Sequence, residues 1–221
     1  MTMVLTPSAR RRLSSEERRR ELLELGLELF GETSYDQIST DEIARRAGVS
    51  RGLLFHYFGN KRGFYLAVVR EASARLLERS RAVHEGPTAP DAQPHRAQLD
   101  VFLAFVEDNA GLFTLLMQSG VGVDAEVRGV VDRTRQVMAR RVAAPWAGNE
   151  SAASGGLENA AHARFALVAW IGAVEAAAVE WADHRRTGAL PSLERHQLAD
   201  LLLAMLPPSM RPSAPGPTSE S

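Results

Sequence analysis

The stretch STDEIARRAGVSRGLLFHYFGNKRG, residues 39–63, contains two short helical patterns separated by about three residues. The first pattern runs from Asp41 to Ala47, and Ser39 precedes it at the spacing that brings its hydroxyl to the backbone amide of Glu42. Because Glu42 can reach back to the amide of Ser39, this spacing predicts a capping box at the helix start. Helices this short are marginal alone, so we expect the two patterns to act as one unit.

A turn at Gly48 joins the two patterns, since glycine readily adopts the positive φ that often follows a helix end. Ser50 is placed to cap the second pattern, Arg51 to about Phe58. Val49 and Leu54 supply apolar contacts between the two helices. These features predict a helix-turn-helix, whose second helix enters the DNA major groove with its N-terminal side chains toward the base edges. An ordinary helical hairpin inside a bundle is the alternative that this pattern leaves open.

Helical periodicity extends along most of the remaining chain. An apolar stripe predicts an amphipathic helix over residues 14–30, capped by Ser14 or Ser15. A fourth helix is expected from about Lys61 to Arg81. Further helices are predicted at about 96–109, 111–118, 124–144, 157–187 and 193–206. The sequence therefore predicts an all-α fold, interrupted by loops rich in Gly, Pro and Ser at 84–95 and 145–156.

Composition limits the classes of function. Of 221 residues 45% are apolar, and no cysteine is present, which removes disulfides, thiolate catalysis and cysteine-ligated zinc. The N-terminus lacks the apolar region of a signal peptide, and no apolar run approaches the roughly 18 residues of a membrane span. We therefore expect a cytoplasmic protein with no membrane partner. Residues 1–81 carry 15 Lys and Arg against 11 Asp and Glu, and the rest carry 11 against 16, which suits an anionic partner at the front only.

Four submotifs occur in order between about Glu17 and Val69: the turn GETSY, then STDEIARRAGVS, LFHYF and NKRGF. Together they resemble the DNA-binding domain of the TetR family of transcriptional regulators. The resemblance implies an N-terminal helix-turn-helix domain followed by a larger C-terminal helical domain for ligand binding and dimerisation. The expected organisation is a flexible basic arm at 1–14, the helix-turn-helix domain at 15–62, a connecting helix at 63–82, the C-terminal domain at 83–206 and a disordered tail at 207–221.

The helix-turn-helix offers several side chains to double-stranded DNA. Arg51 can take guanine O6 and N7 as a bidentate pair, and Gly52 leaves room for Leu53 to approach a thymine methyl. Lys61, the only lysine in the chain, opens the fourth helix, where free amides attract phosphate. The complete predicted set is Thr40, Arg45, Ser50, Arg51, Gly52, Leu53, His56, Tyr57 and Lys61. A solvated Arg51 and a Tyr57 packed on the first helix are the alternative interpretations.

The predicted helix at 157–187 is apolar on more faces than one neighbour can cover, and the predicted helix at 193–206 is its partner. In the manner of the family they could form half of a four-helix bundle across a two-fold axis, and a homodimer would present two recognition helices to a near-palindrome. The residues predicted at this dimer interface are Leu167, Trp170, Val174, Trp181, Leu198 and Leu202. Mutual burial of these helices within one chain is the alternative.

The helices between residues 96 and 144 would enclose an effector pocket, if the resemblance extends to this domain. The candidate lining residues are Phe102, Phe105, Val106, Phe113, Leu116, Met117, Met138 and Trp146. Their composition predicts a small apolar or aromatic effector. Plain core is the alternative role of each, because aromatic and methionine side chains at helical spacing are also the ordinary signal of a core.

No motif of a known catalytic site is present, and neither an enzyme activity nor a cofactor is expected. Glu180 and His184 stand four apart on one helix, but an ion pair explains this spacing better than a metal site without a third ligand. The leading prediction is a ligand-responsive transcriptional regulator, with a repressor favoured by the resemblance. The alternative is a constitutive DNA-binding regulator whose C-terminal domain is a protein-interaction module.

Overall fold

The computed structural model describes residues 14–33, 35–86, 94–118, 124–144, 156–188 and 193–206. Within these ranges the chain forms helices and no strand, which confirms the all-α prediction. The helices are α1 (Ser15–Glu32), α2 (Thr40–Arg46), α3 (Arg51–Phe58), α4 (Lys61–Glu85), α5 (Pro94–Asp108), α6 (Ala110–Gln118), α7 (Ala125–Ala143), α8 (Gly156–Thr187) and α9 (Arg195–Ala204). We call α1 to α3 with the first turn of α4 the reading head, and α5 to α9 the rear domain.

Capping residues account for where the helices of the reading head begin. A reciprocal capping box starts α1, because Ser14 and Glu17 each accept the backbone amide of the other, at 3.1 and 2.7 Å. Ser39 caps α2 through the amide of Glu42 at 3.1 Å. The capping box predicted at α2 is wrong in its second half, because the Glu42 carboxylate bonds two arginines of its own helix instead.

The core of the reading head is formed where α1 crosses α4. Its fully buried side chains include Leu22, Leu29, Phe30, Ile43, Leu54, Phe64 and Val68. Gly26 makes the crossing possible, since a Cβ atom there would lie 2.3 Å from a methyl carbon of Val68. Gly48 has φ +61°, as the turn between α2 and α3 requires.

Helix α4 joins the reading head to the rear domain without a break. It packs against α1 and α3 of the reading head and against α5 and α7 of the rear domain. It ends at Glu85 rather than at the predicted Arg81, and the Arg81 to Glu85 ion pair of 2.7 Å lies in the additional turn. Deeper in the interface with α5, Ser80 and Gln98 exchange two buried hydrogen bonds. A single rigid element therefore belongs to both parts of the molecule.

The rear domain is an arrangement of long helices around an apolar centre. Helix α6 packs between α1 and α8, and α9 packs against α5. Leu103, Val106 and Leu112 are among its fully buried side chains. The predicted helices all occur here with ends shifted by a few residues. The basic arm at 1–13, the loop residues 87–93, Trp146 and the tail from 207 onward lie outside the described residues.

Helix α8 is more apolar than the sequence analysis expected. Within Ala161–Thr187, an 18-residue window has a mean hydropathy of 1.5 and meets the length and composition of a membrane span, which corrects the statement that no run approaches one. Only 28% of these 18 residues are buried inside the chain. Core helices of soluble proteins pass the same criterion, and α8 carries Glu175 bonded to an arginine of α7. On its remaining faces, α8 leaves Phe165 and Val168 exposed to solvent.

Candidate DNA-reading surface and effector cavity

Helix α3 exposes its N-terminal residues to solvent. Arg51, Gly52 and His56 are exposed, and Leu54 points into the core at 1% exposure. Ser50 caps the helix by accepting the amide of Leu53 at 3.1 Å. A Cβ atom at Gly52 would meet only the Ser50 hydroxyl, at 3.9 Å. The start of α3 is therefore an open, rigidly capped surface of the kind that enters a major groove.

Arg51 is held only loosely on this surface. One guanidinium nitrogen lies 3.5 Å from an Asp41 carboxylate oxygen, and the guanidinium carbon lies 5.1 Å from the ring centroid of Phe55. Both members of the ion pair are more than half exposed. Exposed pairs contribute about 0–1 kcal/mol, so a base edge can replace Asp41 at small cost.

Lys61 is the first residue of α4 and closely follows α3, which we call the reading helix. Its ammonium lies 4.4 Å from the ring centroid of Tyr35, within the range of a cation–π contact. Asn60 caps this helix by accepting the amide of Gly63 at 2.8 Å. The ammonium is thus placed near the positive end of the α4 dipole, which is the arrangement that attracts a phosphate.

The remaining predicted DNA contacts differ in how available they are. Arg45 is bonded at two nitrogens by Glu42, at 2.8 and 2.6 Å, and this contact raises the pKa of Arg45. A phosphate contact by Arg45 would therefore compete with Glu42. Thr40, the first residue of α2, is half-buried. Tyr57 packs partly against the core, in agreement with the alternative given for it, and meets the His56 ring edge-on at 5.5 Å.

A cavity of about 100 Å³ lies between α4 and the rear-domain helices α5 to α8. A water occupies roughly 10–15 Å³ of such space, so the cavity has room for several non-hydrogen atoms. Six of the eight predicted lining residues do line it: Phe102, Phe105, Phe113, Leu116, Met117 and Met138. Helix α4 also contributes Ala72, Ser73 and Leu76. The element that carries Lys61 at one end thus forms a wall of the cavity at its middle.

Of the other two predicted lining residues, only Val106 belongs to the described part of the chain. Val106 is fully buried and is not among the residues that line the cavity, so its prediction is wrong, and Trp146 lies outside the described residues. The wall also contains residues that the sequence analysis missed, among them Thr134, Arg135, Ile171 and Glu175. The three polar residues among them could not be assigned to the wall from the sequence, because polar residues inside long amphipathic helices usually face solvent.

Arg135 and Glu175 form the charged part of the wall. The Arg135 Nε donates to Glu175 Oε1 at 2.7 Å and its Nη2 to Oε2 at 3.0 Å, which is a bidentate pair between α7 and α8. Asp132 accepts from Nη1 at 3.0 Å. The bond to Glu175 is the main reason that the pKa of Arg135 is raised.

Five of the six residues predicted at the dimer interface are buried inside their own chain, and that prediction is wrong for them. Trp170 is 6% exposed and donates its indole N–H to the carbonyl of Leu202 at 2.8 Å. Trp181 donates to the carbonyl of Leu193 at 2.7 Å. Leu167 is the sixth residue and is partly buried. The five buried residues are Trp170, Val174, Trp181, Leu198 and Leu202.

The opposite faces of α8 and α9 are apolar and open to solvent. Phe165 is 73% exposed and Val168 is 59% exposed on α8. Leu201 and Met205, at 51% and 53%, are exposed on and just after α9. We call these four residues the exposed apolar face. Large exposed apolar side chains on neighbouring helices are typical of interaction surfaces, and α8 and α9 are neighbours through the Trp170 to Leu202 hydrogen bond.

Glu180 and His184 make the close contact that their spacing suggested, with Nε2 and Oε1 3.2 Å apart. In the part of the chain that the structure describes, no group of three His, Asp or Glu residues is placed to hold a metal ion.

The chain combines a capped helix α3, a cationic start of α4 and a continuous α4 that leads to a domain with an internal cavity. This combination is typical of the class of helical DNA-binding regulators. Two family models match the chain: "Bacterial regulatory proteins, tetR family" over residues 22–68, and "Tetracyclin repressor-like, C-terminal domain" over residues 93–206. The second match alone covers more than half of the chain. The protein therefore belongs to the TetR family of transcriptional regulators, as the resemblance predicted.

Individual relatives agree with this assignment. The HTH-type transcriptional activator FasR of Mycolicibacterium smegmatis is 32% identical over 120 residues, which span 54% of each protein. A TetR-family regulator from Streptomyces coelicolor has a TM-score of 0.67 and 29% identity over 87% of this chain and 82% of its own. The Bacillus subtilis regulator FadR, solved with stearoyl-CoA, has a TM-score of 0.63 over 85% of this chain and 96% of its own, but at 17% identity it shows the fold alone. These relatives are regulators, not enzymes.

Proposed function

We propose that this protein binds a near-palindromic DNA operator as a homodimer and is released from it by a small apolar or aromatic effector bound in the cavity. The observation that carries the proposal is that α4 is shared: it begins at Lys61 beside the reading helix and lines the cavity through Ala72, Ser73 and Leu76. A ligand that binds the two positions of α4 with different affinity shifts the equilibrium between them.

The exposed apolar face supports the homodimer. Phe165 and Val168 on α8 and Leu201 on α9 would be covered if α8 and α9 pack against the same helices of a second copy across a two-fold axis. A two-fold axis places two reading helices roughly 34–36 Å apart when the operator half-sites are one helical turn apart. The proposed dimer is therefore built from the outer faces of α8 and α9, and not from Trp170, Val174 and the other residues that are buried within one chain.

Two further contacts between the reading head and the rear domain support the coupling. A Cβ atom at Gly111 of α6 would lie 1.7 Å from the carbonyl oxygen of Gly31 in α1, so the two backbones touch. Arg62 of α4 donates to Asp124, the capping residue of α7, at 2.6 and 2.9 Å and to Glu126 at 2.8 Å. A movement of α6 or α7 around a ligand would therefore be transmitted to α1 and to the start of α4.

Repression follows from this mechanism when the operator overlaps a promoter, because the free protein occupies the DNA and the effector removes it. The relative FasR is named an activator, so activation is the second candidate. It would require the bound dimer to assist the polymerase from an upstream site. In both cases the regulator acts in the cytoplasm, where the DNA lies.

Genomic capture tests the proposal. Sheared genomic DNA is bound to the purified protein at near-physiological salt, with and without a metabolite extract, and the retained fragments are sequenced. We expect a near-palindrome whose enrichment the extract abolishes, and the variant Arg51→Ala should enrich a site whose preference is relaxed at one base pair per half-site. Enrichment that persists with extracts from cells grown on many carbon sources would favour the constitutive regulator with a protein-interaction domain. Failure to enrich any site would contradict the DNA-binding part of the proposal.

A further inference from the structure

The charged cluster on the cavity wall has an unequal number of acids and bases. It contains one guanidinium, Arg135, and two carboxylates, Asp132 and Glu175. Among the described residues that line the cavity, Arg135 and Glu175 are the charged ones, and Asp132, which does not line it, accepts a hydrogen bond from Arg135. The cluster therefore carries a net charge of −1 beside an otherwise apolar space.

Exposure orders the three side chains from the cavity to the solvent. The side chain of Glu175 is 22% exposed, that of Arg135 is 37% exposed and that of Asp132 is 47% exposed. Because Arg135 and Glu175 line the cavity and are also partly exposed, we take this cluster as the mouth of the cavity, and Glu175 is its most buried member. A polar group on a ligand would meet this cluster while the rest of the ligand remains among apolar side chains.

An anionic ligand group is poorly served by this arrangement. The cation that lines the cavity, Arg135, already donates from Nε, Nη1 and Nη2 to the two carboxylates. An incoming anion would have to displace Glu175, and a largely buried carboxylate left without its partner is costly.

A hydrogen-bond donor or a cation on the ligand can be bound by Glu175. Each oxygen of Glu175 accepts one hydrogen bond from Arg135, and a carboxylate has about four acceptor positions. An ammonium can therefore bond Glu175 without breaking the existing pair. Its positive charge also compensates the net charge of the cluster.

The aromatic part of the wall favours the same charge. Phe102, Phe105, Phe113 and Trp170 all line the cavity. Phe102 and Phe113 meet edge to face with ring centroids 5.7 Å apart. The indole N–H of Trp170 is already bonded to a carbonyl. Aromatic rings attract cations through their negative faces and offer nothing comparable to a carboxylate.

We propose that the effector is a cationic amphiphile: an apolar or aromatic body that fills the cavity, with an amine head that bonds Glu175 at the mouth. This inference rests on the proposed function, because it takes the cavity to be the effector site. It names the ligand class that this wall selects, and it excludes a free carboxylate as the head group.

Calorimetric titration of the full chain without DNA tests the ligand class. The probes are phenylalkylamines, phenylalkanols and phenylalkanoates of matched chain length, so that only the head group changes. A charge-assisted hydrogen bond contributes about 1.5–3 kcal/mol. At the chain lengths that bind, the amine should therefore bind roughly ten- to a hundredfold more tightly than the carboxylate.

The variant Glu175→Gln assigns the preference to its residue. Glutamine keeps the shape of the side chain and removes its charge. The preference for the amine over the carboxylate should therefore fall to less than about threefold, which is smaller than the effect of one charge-assisted hydrogen bond. Glu180→Gln makes the same chemical change on the same helix, outside the cavity lining, and should keep the preference. The comparison of amine with carboxylate on the unmodified chain stands by itself if Glu175→Gln does not fold.

The outcomes separate this inference from the proposed function. Tighter binding of carboxylates, equal binding of alcohols and amines, or a preference that survives in Glu175→Gln would each overturn the ligand class and leave the cavity as effector site. No binding by any probe, from a protein that releases its operator in metabolite extract, would overturn the assigned ligand class. No binding together with no release would overturn the effector cavity itself.

Discussion

At the scale of single residues, the cations of the reading surface differ in what holds them. Arg45 is bonded at two nitrogens by Glu42, whereas Arg51 has one contact of 3.5 Å with Asp41 and Lys61 lies over the ring of Tyr35. DNA has to break two short hydrogen bonds to a carboxylate in order to bind Arg45, but only one long contact in order to bind Arg51. Arg51 and Lys61 are therefore the side chains with most to contribute to binding, and they do so in different ways.

Replacement of these two residues separates base reading from phosphate binding. Lys61→Ala should weaken binding to operator and scrambled duplexes alike and reduce the salt slope by about one. Arg51→Ala should relax the preference at one base pair per half-site, by about 1–3 kcal/mol. Anisotropy titrations on both duplexes at several salt concentrations measure both effects, with Arg81→Ala, far along α4, as the control. Equal behaviour of Lys61→Ala and Arg51→Ala would contradict the assigned roles.

Tyr65 carries a second prediction at this scale. Its hydroxyl is buried beside Phe30 and Tyr35 and has no hydrogen-bond partner among the described residues. Burial raises its pKa to about 12. Because an unpaired buried hydroxyl costs about 1–3 kcal/mol, Tyr65→Phe should raise the free energy of unfolding by about 1 kcal/mol in urea denaturation. Tyr57→Phe, at a half-buried ring, should change it little, and a less stable Tyr65→Phe would show that the hydroxyl has a partner.

At the scale of helices, most elements could be predicted from the sequence. Capping serines, Gly48 and apolar periodicity located all nine described helices to within a few residues. The inward face of α8 could not be predicted, because Trp170 and Val174 on one side and Phe165 and Val168 on the other are all apolar. Periodicity indicates a stripe, but it does not say which of two stripes the chain itself covers.

The candidate sites show the same limit. Aromatic and methionine residues of α5 and α6 indicated the cavity, since the helices that enclose it are consecutive in sequence. The pairs Arg135–Glu175 and Arg62–Asp124 join residues 40 and 62 positions apart. Such pairs depend on how helices pack, and no local pattern announces them.

The contact between α1 and α6 carries a prediction of its own. Gly111→Ala places a methyl group where the backbone of Gly31 lies, so α6 has to move away from α1. We expect a loss of about 1–3 kcal/mol in the free energy of unfolding, together with weaker operator binding. Gly129→Ala on α7 is the control, because its Cβ meets only the end of the Arg133 side chain, at 3.3 Å. Unchanged operator affinity in a destabilised Gly111→Ala would show that this contact does not transmit movement.

At the scale of the whole molecule, the exposed apolar face predicts how two copies associate. Phe165→Arg places a charge in the middle of the proposed interface and should convert the dimer to a monomer in analytical ultracentrifugation. Operator affinity should fall with it, because the two half-sites are then bound independently. Val83→Arg, at an exposed apolar residue of α4 outside this face, should remain dimeric. A dimeric Phe165→Arg would move the interface elsewhere.

Effector binding in the cavity is proposed to release the operator, and a variant whose cavity no longer admits the effector tests this most directly. Ala139→Phe adds a ring to the lining of the cavity on α7, and Gln136→Phe adds the same ring on the exposed side of that helix. The measurement is operator anisotropy for the three proteins as an effector-containing extract is titrated in. We expect that all three proteins bind the operator and that only Ala139→Phe fails to release it. Release of Ala139→Phe at the same extract concentration as the unmodified chain would contradict this expectation.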